Sequence, residues 1–186
     1  AGSRIHFQIH YTPNGVATQD QVRIGVRFAK APPQNVVQVA GIADIRLNIP
    51  PGATNHAETA SIPVPRDVRL LGFMPHMHVR GKSMTYRAIY PAGETETLLD
   101  VPKYDFNWQL SYILAEPRKV PAGAKMHATA WYDNSANNKF NPDPMKTVRW
   151  GDQTFEEMMI GFFNYKVPVD QAPPAPVQRQ PRPPAE

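Results

Sequence analysis

Cysteine is absent from this 186-residue chain, which removes zinc ribbons, thiol nucleophiles, iron–sulfur clusters and disulfide staples together. Histidine and methionine are then the only borderline or soft metal ligands left, six of the first and seven of the second. Charge of one sign is scarce too. The formal net charge is +4, and Lys and Arg are scattered among acids with no run of five like charges, which argues against a dedicated nucleic-acid surface. No stretch reaches the roughly 18 to 20 apolar residues of a membrane span, and residues 1–20 hold no apolar signal-peptide core. The chain as given therefore reads as soluble, with any export signal lying outside it. Proline is abundant instead, 21 residues beside 11 glycines. Helices tolerate that poorly, because proline lacks the backbone donor and clashes with the preceding turn.

The pattern along the chain is that of short strands. In Arg4–Tyr11 the residues Ile5, Phe7, Ile9 and Tyr11 alternate with His6, Gln8 and His10, the period of a strand with one buried face. Thr12-Pro13-Asn14-Gly15 is a turn signal, and Gln21–Phe28 resumes the period of two. Further strands are predicted at 44–49, 58–64, 68–78, 83–90, 96–101, 109–113, 125–132 and 156–165. Pro-Pro-Gly at 50–52, Pro-Ala-Gly at 91–93 and 121–123, and Asn-Pro-Asp-Pro at 141–144 separate them. The fold class this predicts is all-β, an antiparallel β-sandwich or jelly roll. From Pro168 to Glu186 proline recurs among Ala, Gln and Arg with few large apolar residues, so a disordered or polyproline-like tail is expected there.

Three places can carry chemistry. Pro75-His76-Met77-His78-Val79-Arg80-Gly81 ends an apolar strand. Residues i and i+2 of an extended chain share a face at roughly 6.6 Å, so two imidazoles can converge on one ion, and Gly81 lets the chain turn away. Met158, in Phe155-Glu156-Glu157-Met158-Met159-Ile160, joins that pair if its strand neighbours theirs. Two imidazoles and a thioether favour copper, above all Cu(I). Asp133–Asn138, with Asp143 and Asp152 nearby, could offer oxygen ligands to calcium, but it lacks a defensible ligand spacing and reads as a polar loop. His127 on its strand and His56 in the loop at 53–58 read as structural or solvated, and Trp108, Trp131, Trp150, Phe155, Phe162 and Phe163 as core and rim aromatics.

Taken together, His76-Met77-His78 before Gly81, the Glu157-Met158 pair about eighty residues on, and Gln8-Ile9-His10-Tyr11 upstream resemble the type II copper, ascorbate-dependent monooxygenases, the group of peptidylglycine α-hydroxylating and dopamine β-monooxygenases. The resemblance covers roughly residues 1–166. It implies two jelly-roll domains facing across a cleft, each with one copper. In the carboxy-terminal domain the copper binds dioxygen and attacks a substrate C–H bond, held by ligands that correspond to His76, His78 and Met158. The Glu-Met order selects Met158, since Met159 would face the other side of its strand. The other copper passes an electron and is held by three histidines, the last of which matches His10.

The resemblance divides the chain into residues 1–12, the terminal strand of a preceding copper domain, residues 13–167, the C-terminal jelly roll, and residues 168–186, the tail. The adjacent His-His pair of the second copper site is missing, so an upstream domain carrying that copper is the expected partner. Ascorbate or another one-electron reductant is the implied co-substrate. Peptide-amidating members hold a substrate carboxylate with an arginine, an asparagine and a tyrosine where this chain has Met74, Ile160 and Phe162, so a small molecule more apolar than a peptide carboxylate is expected. The absence of the family's disulfides resembles its bacterial members, and an extracytoplasmic location follows from the resemblance alone. A non-catalytic copper-binding or interaction module on the same scaffold is the competing expectation. A zinc site of His76, His78 and Glu157 is a third.

Overall fold

In the computed structural model, period-two alternation becomes two antiparallel sheets. The structure describes residues 5, 7, 9, 11 and 14–172. It divides into two units, Ala1–Pro32 and Pro33–Glu186. In the second unit ten strands follow one another: β1 (Asn35–Ala43), β2 (Asn48–Ile49), β3 (His56–Pro63), β4 (Val68–His76), β5 (Gly81–Ile89), β6 (Thr95–Val101), β7 (Tyr112–Val120), β8 (Lys125–Tyr132), β9 (Val148–Arg149) and β10 (Ile160–Pro168). One four-stranded sheet has the order β1-β10-β4-β7 and the other β3-β8-β5-β6, with β2 and β9 as a small separate pair. The fold is the all-β jelly-roll sandwich that the sequence predicts. Among the described residues no helix is long and apolar enough to cross a membrane.

Alternation decides which side chains enter the core. In β8, Met126, Ala128, Ala130 and Tyr132 are buried while the residues between them are not. Tyr86, Tyr132 and Phe73 are the large core aromatics, packed with Ile42, Leu70, Met77, Met84, Met126 and Met159. Of the six aromatics expected at the core and rim, Phe163 is buried, but Trp108 and Phe155 are exposed. Both lie in connections rather than on an inward-facing strand position, so their size gives them nothing to pack into.

Several expected strands moved. Gly25 and its neighbours form no strand, and Val22, Ile24, Val26 and Phe28 are exposed. Ile5, Phe7, Ile9 and Tyr11 are exposed as well, while His6, Gln8 and His10 fall outside the described residues, as does the tail from 173 to 186. Alternation specifies which face of a ribbon is apolar, but a two-stranded ribbon is not stable until something covers that face. Among the described residues of the first unit nothing does. The backbone also stays regular past Pro168, through a 3-10 turn at Val169–Gln171, and Ala172 packs against the core.

Candidate metal centre

β4 runs between β10 and β7 and stops at His76, not at His78. His78 lies two residues past its end, in the corner that returns the chain into β5. Gly81 makes that corner possible. A Cβ placed there would stand 2.6 Å from the Met77 Cβ and 2.9 Å from the Tyr104 ring, so no larger residue fits without moving the corner. Tyr104 closes it from the other side, its hydroxyl donating to the Met77 carbonyl at 2.6 Å and accepting the Met77 N–H at 3.1 Å.

The two imidazoles stand with ring centroids 5.4 Å apart and planes nearly perpendicular. Each is held at Nδ1. His76 Nδ1 lies 2.7 Å from Gln109 Oε1, and Gln109 turns that oxygen toward the ring because its amide nitrogen donates to the Phe106 carbonyl at 3.0 Å. His78 Nδ1 lies 3.2 Å from the Glu156 carbonyl. Both partners accept, so both rings carry their proton on Nδ1 and present an Nε2 lone pair. Neither Nε2 makes a hydrogen bond among the described residues. His78 is 4 % exposed. Burial pushes its pKa down, as does neighbouring His76, against the pull of the Glu156 and Gln153 carbonyls and the Glu156 charge, and the neutral form that can ligate a metal is favoured.

Met158 precedes β10. The register pairs Ile160 with His76, and continuing it two residues sets Met158 opposite His78. Glu157 and Met159 are fully buried, whereas Met158 and Ile160 are only partly so, so Met158 shares the outward face with Ile160 and His76. The expected orientation of Met159, toward the core, is what the burial gives. Two hydrogen bonds fix the Met158 backbone: the Tyr132 hydroxyl donates to its carbonyl at 2.9 Å, and its N–H donates to Glu157 Oε2 at 3.2 Å.

Glu157 corrects the zinc expectation. Its carboxylate is fully buried and accepts three backbone N–H groups, from His78 at 2.7 Å, Arg80 at 2.7 Å and Met158 at 3.2 Å, so both oxygens are engaged with the backbone and it is a poor metal ligand. Burial pushes its pKa up to about 7, against those three donors and the Arg80 charge. Arg80 is equally buried. Its Nε donates to Asn134 Oδ1 at 2.8 Å and its Nη1 to the Phe155 carbonyl at 2.9 Å. Asn134 in turn donates to the carbonyls of Pro50 and Lys146. The segment 133–138 is a polar loop, as its composition suggests, with Asn134 and Ser135 buried in it and Ala136 and Asn137 exposed.

Gln109, Phe106 and Tyr104 all belong to the β6–β7 connection, where a strand was expected at 109–113. Phe106 sets its ring edge-on to His78 at 6.1 Å. Among the described residues no group of three His, Cys, Asp or Glu side chains is gathered to hold a metal; a site here needs the thioether as its third protein donor. Two neighbouring imidazoles, each held at Nδ1, and a thioether on the adjacent segment are a donor set that copper fits. His127 and His56 are elsewhere, on the other sheet, and His56 opens β3 instead of lying in a loop.

Comparison with known proteins bears on the same region. Residues 40–173 match the family described as copper type II ascorbate-dependent monooxygenase, C-terminal domain. No curated protein matches the chain. Among solved structures, that of infectious bursal disease virus Gt strain matches with 10% identity and a TM-score of 0.35 over 74% of this chain and 33% of that one. The VP2 subviral particle of the same virus matches with 9% identity and a TM-score of 0.33 over 72% and 32%. The chain spans about a third of the length of these structures, and likenesses this low carry no functional argument.

Proposed function

Since the chain belongs to the copper type II ascorbate-dependent monooxygenase family, matching its C-terminal domain, we propose that it supplies the dioxygen-binding copper half of an enzyme that hydroxylates a substrate C–H bond. The observation that carries this reading is the pair His76 and His78, 5.4 Å apart and each held at Nδ1 by an acceptor. His76, His78 and Met158 would hold one copper. When bound, copper supplies the one-electron chemistry that activates dioxygen, with ascorbate or another reductant as the electron source. The residues of the chain do the rest: Gln109 and the Glu156 carbonyl hold the Nδ1 side of each ring and aim it, and Phe106 covers one flank of His78.

The second copper belongs, in this reading, to an upstream domain, with His10 as one of its ligands and residues 1–12 as that domain's last strand. An extracytoplasmic location goes with the same proposal. The substrate is a small molecule more apolar than a peptide carboxylate. Support for that comes from the outward face beside His76, where Phe162 pairs with Met74 and Ile160 with His76, and Phe162 lies 6.4 Å from the His76 ring. Gly41 opposes Phe162 on the next strand, and a Cβ there would crowd Ile160 at 3.0 Å, so this floor stays flat. Met74, Ile160 and Phe162 themselves bring no cation to pair a carboxylate.

Competition between Cu(I), Cu(II) and Zn(II) for this chain tests the metal, and ascorbate-dependent oxygen uptake by the polypeptide with its upstream domain tests the activity. Stoichiometric Cu(I) preferred over zinc, with uptake stimulated by an apolar substrate, is the expected result. Copper binding without any turnover would favour the non-catalytic module, and no copper would overturn both. Met74→Arg should raise the use of carboxylate-bearing substrates at least about tenfold relative to neutral ones.

A further inference from the structure

One oxygen atom of Glu157 ties together the backbones that carry two proposed ligands from opposite ends of the domain sequence. Oε2 accepts the His78 N–H at 2.7 Å across a separation of 79 residues, and the Met158 N–H at 3.2 Å. The two amide nitrogens therefore cannot stand farther apart than those two legs allow. The other oxygen accepts the Arg80 N–H at 2.7 Å, so the corner after His78 is fixed at two points. The nearby buried Arg80 charge also favours a carboxylate at this place. The Glu157 side chain is fully buried, and a buried acid costs stability unless its lone pairs are satisfied. An apolar residue would fill the volume, but it would leave three backbone N–H groups without acceptors.

We infer that Glu157 is a positioning residue whose carboxylate sets the spacing between the His78 imidazole and the Met158 thioether, so that the third donor of the site is preset before any metal arrives. The inference rests on the copper reading above and deepens it. The β4–β10 ladder alone would not do this, because its register ends at the Ile160–His76 pair and the ligands His78 and Met158 both lie beyond it. The buried Arg80 guanidinium, held by Asn134 and the Phe155 carbonyl, adds charge attraction to the same carboxylate. Glu157→Gln replaces one acceptor with an NH2 group, which must face at least one of the backbone donors and push it away.

Two readouts test this on the whole chain. In the metal-free protein, amide hydrogen exchange in Glu157→Gln should speed up at His78, Arg80 and Met158 together while the amides of β5 and β8 keep their protection. Unchanged exchange at those three amides would overturn the clamp. In the copper-loaded protein, Glu157→Gln should weaken Cu(I) binding about 10- to 100-fold, the range for a lost supporting partner. In a Met158→Ile background the same substitution should cost less than about threefold, because the spacing it sets no longer matters. Equal losses in both backgrounds would show that Glu157 acts on folding alone and would overturn the role. Glu157→Asp, which keeps the charge one methylene short, should fall between wild type and Gln in both readouts if the Gln variant does not fold. A wild-type chain that takes up no copper at all would sink the copper reading and this role with it, while the exchange data would still say whether the clamp exists.

Discussion

Two pairs of histidines lie in different parts of this sandwich, and they differ in what stands around their rings. On the β3-β8-β5-β6 sheet, His127 lies between Ser61 and Arg87 in the cross-strand ladder. Its Nδ1 meets the Ser61 hydroxyl at 2.8 Å and its Nε2 the Thr129 hydroxyl at 3.2 Å, and burial and the Arg87 charge push its pKa down. His56 spends its Nε2 on Glu58 at 2.9 Å. On the other sheet, His76 and His78 spend only Nδ1. The difference is at the ring and beside it: His76 and His78 stand next to each other, each with an acceptor at Nδ1, whereas His127 has a partner at each nitrogen and His56 is tied to a carboxylate. Residue type and exposure do not separate the pairs, whereas a second imidazole alongside does.

The most severe way to break this comparison is to remove a ring. His78→Ala should lower Cu(I) affinity by more than about 100-fold, beyond what a lost supporting partner costs, and His127→Ala should leave it unchanged in the same titration. Next in size is Gln109→Leu, which takes the acceptor from His76 Nδ1. We expect a loss of about 10- to 100-fold, together with a proton that moves between the ring nitrogens in 15N NMR of the metal-free protein. Gln109→Glu, which keeps an oxygen in place, should restore the Nδ1–H form.

Acid should act through the same rings. Copper has to displace a proton from each imidazole it binds once the pH falls below that ring's pKa, at about tenfold per pH unit. Because burial holds the His78 pKa below the ordinary 6.5, its share of fold stability is present above pH 6.5 and is lost as the pH falls. Glu157 works in the opposite direction: raised to about 7, it contributes stability at low pH that is lost as the pH rises through 7. Thermal stability will therefore mix the two, and copper affinity against pH is the cleaner measurement. Gly81→Ala tests the corner rather than the rings and should cost about 1–3 kcal/mol in denaturant unfolding, the usual range for overpacking. Smallest of all, Ser61→Ala frees His127 Nδ1 at a partly exposed position. It should cost less than about 1 kcal/mol and should create no copper site, because among the described residues no group of metal-ligating side chains is gathered there.

Much of the sandwich was legible because its middle strands alternate. β8 was predicted at its observed bounds, and β3, β5 and β6 within two residues at each end. β1 was missed because Val36, Val37, Val39, Ala40 and Ile42 are apolar on both faces, which erases the contrast that period-two reading depends on. β7 was missed past Ile113 because Glu116, Pro117 and Arg118 read as a break. The strand is at the sheet edge, where proline's missing donor faces no partner, and the ladder jumps from Arg118 to Ile113 around it. His76, His78 and Met158 could be named from local spacing and family resemblance. Gln109 could not, since nothing marks one glutamine in a loop 33 residues away as the partner of an imidazole. Glu157 did carry a signal, an acid running into the apolar Met158–Phe163, and its burial explains it.

The central claim is that one copper sits between His76, His78 and Met158. X-ray absorption on the Cu(I)-loaded chain tests it most directly, with wild type and Met158→Ile side by side. The account predicts one copper per chain with a sulfur scatterer that disappears in Met158→Ile while the imidazole scattering stays. A wild-type spectrum without sulfur, or a sulfur signal that survives the substitution, would contradict it.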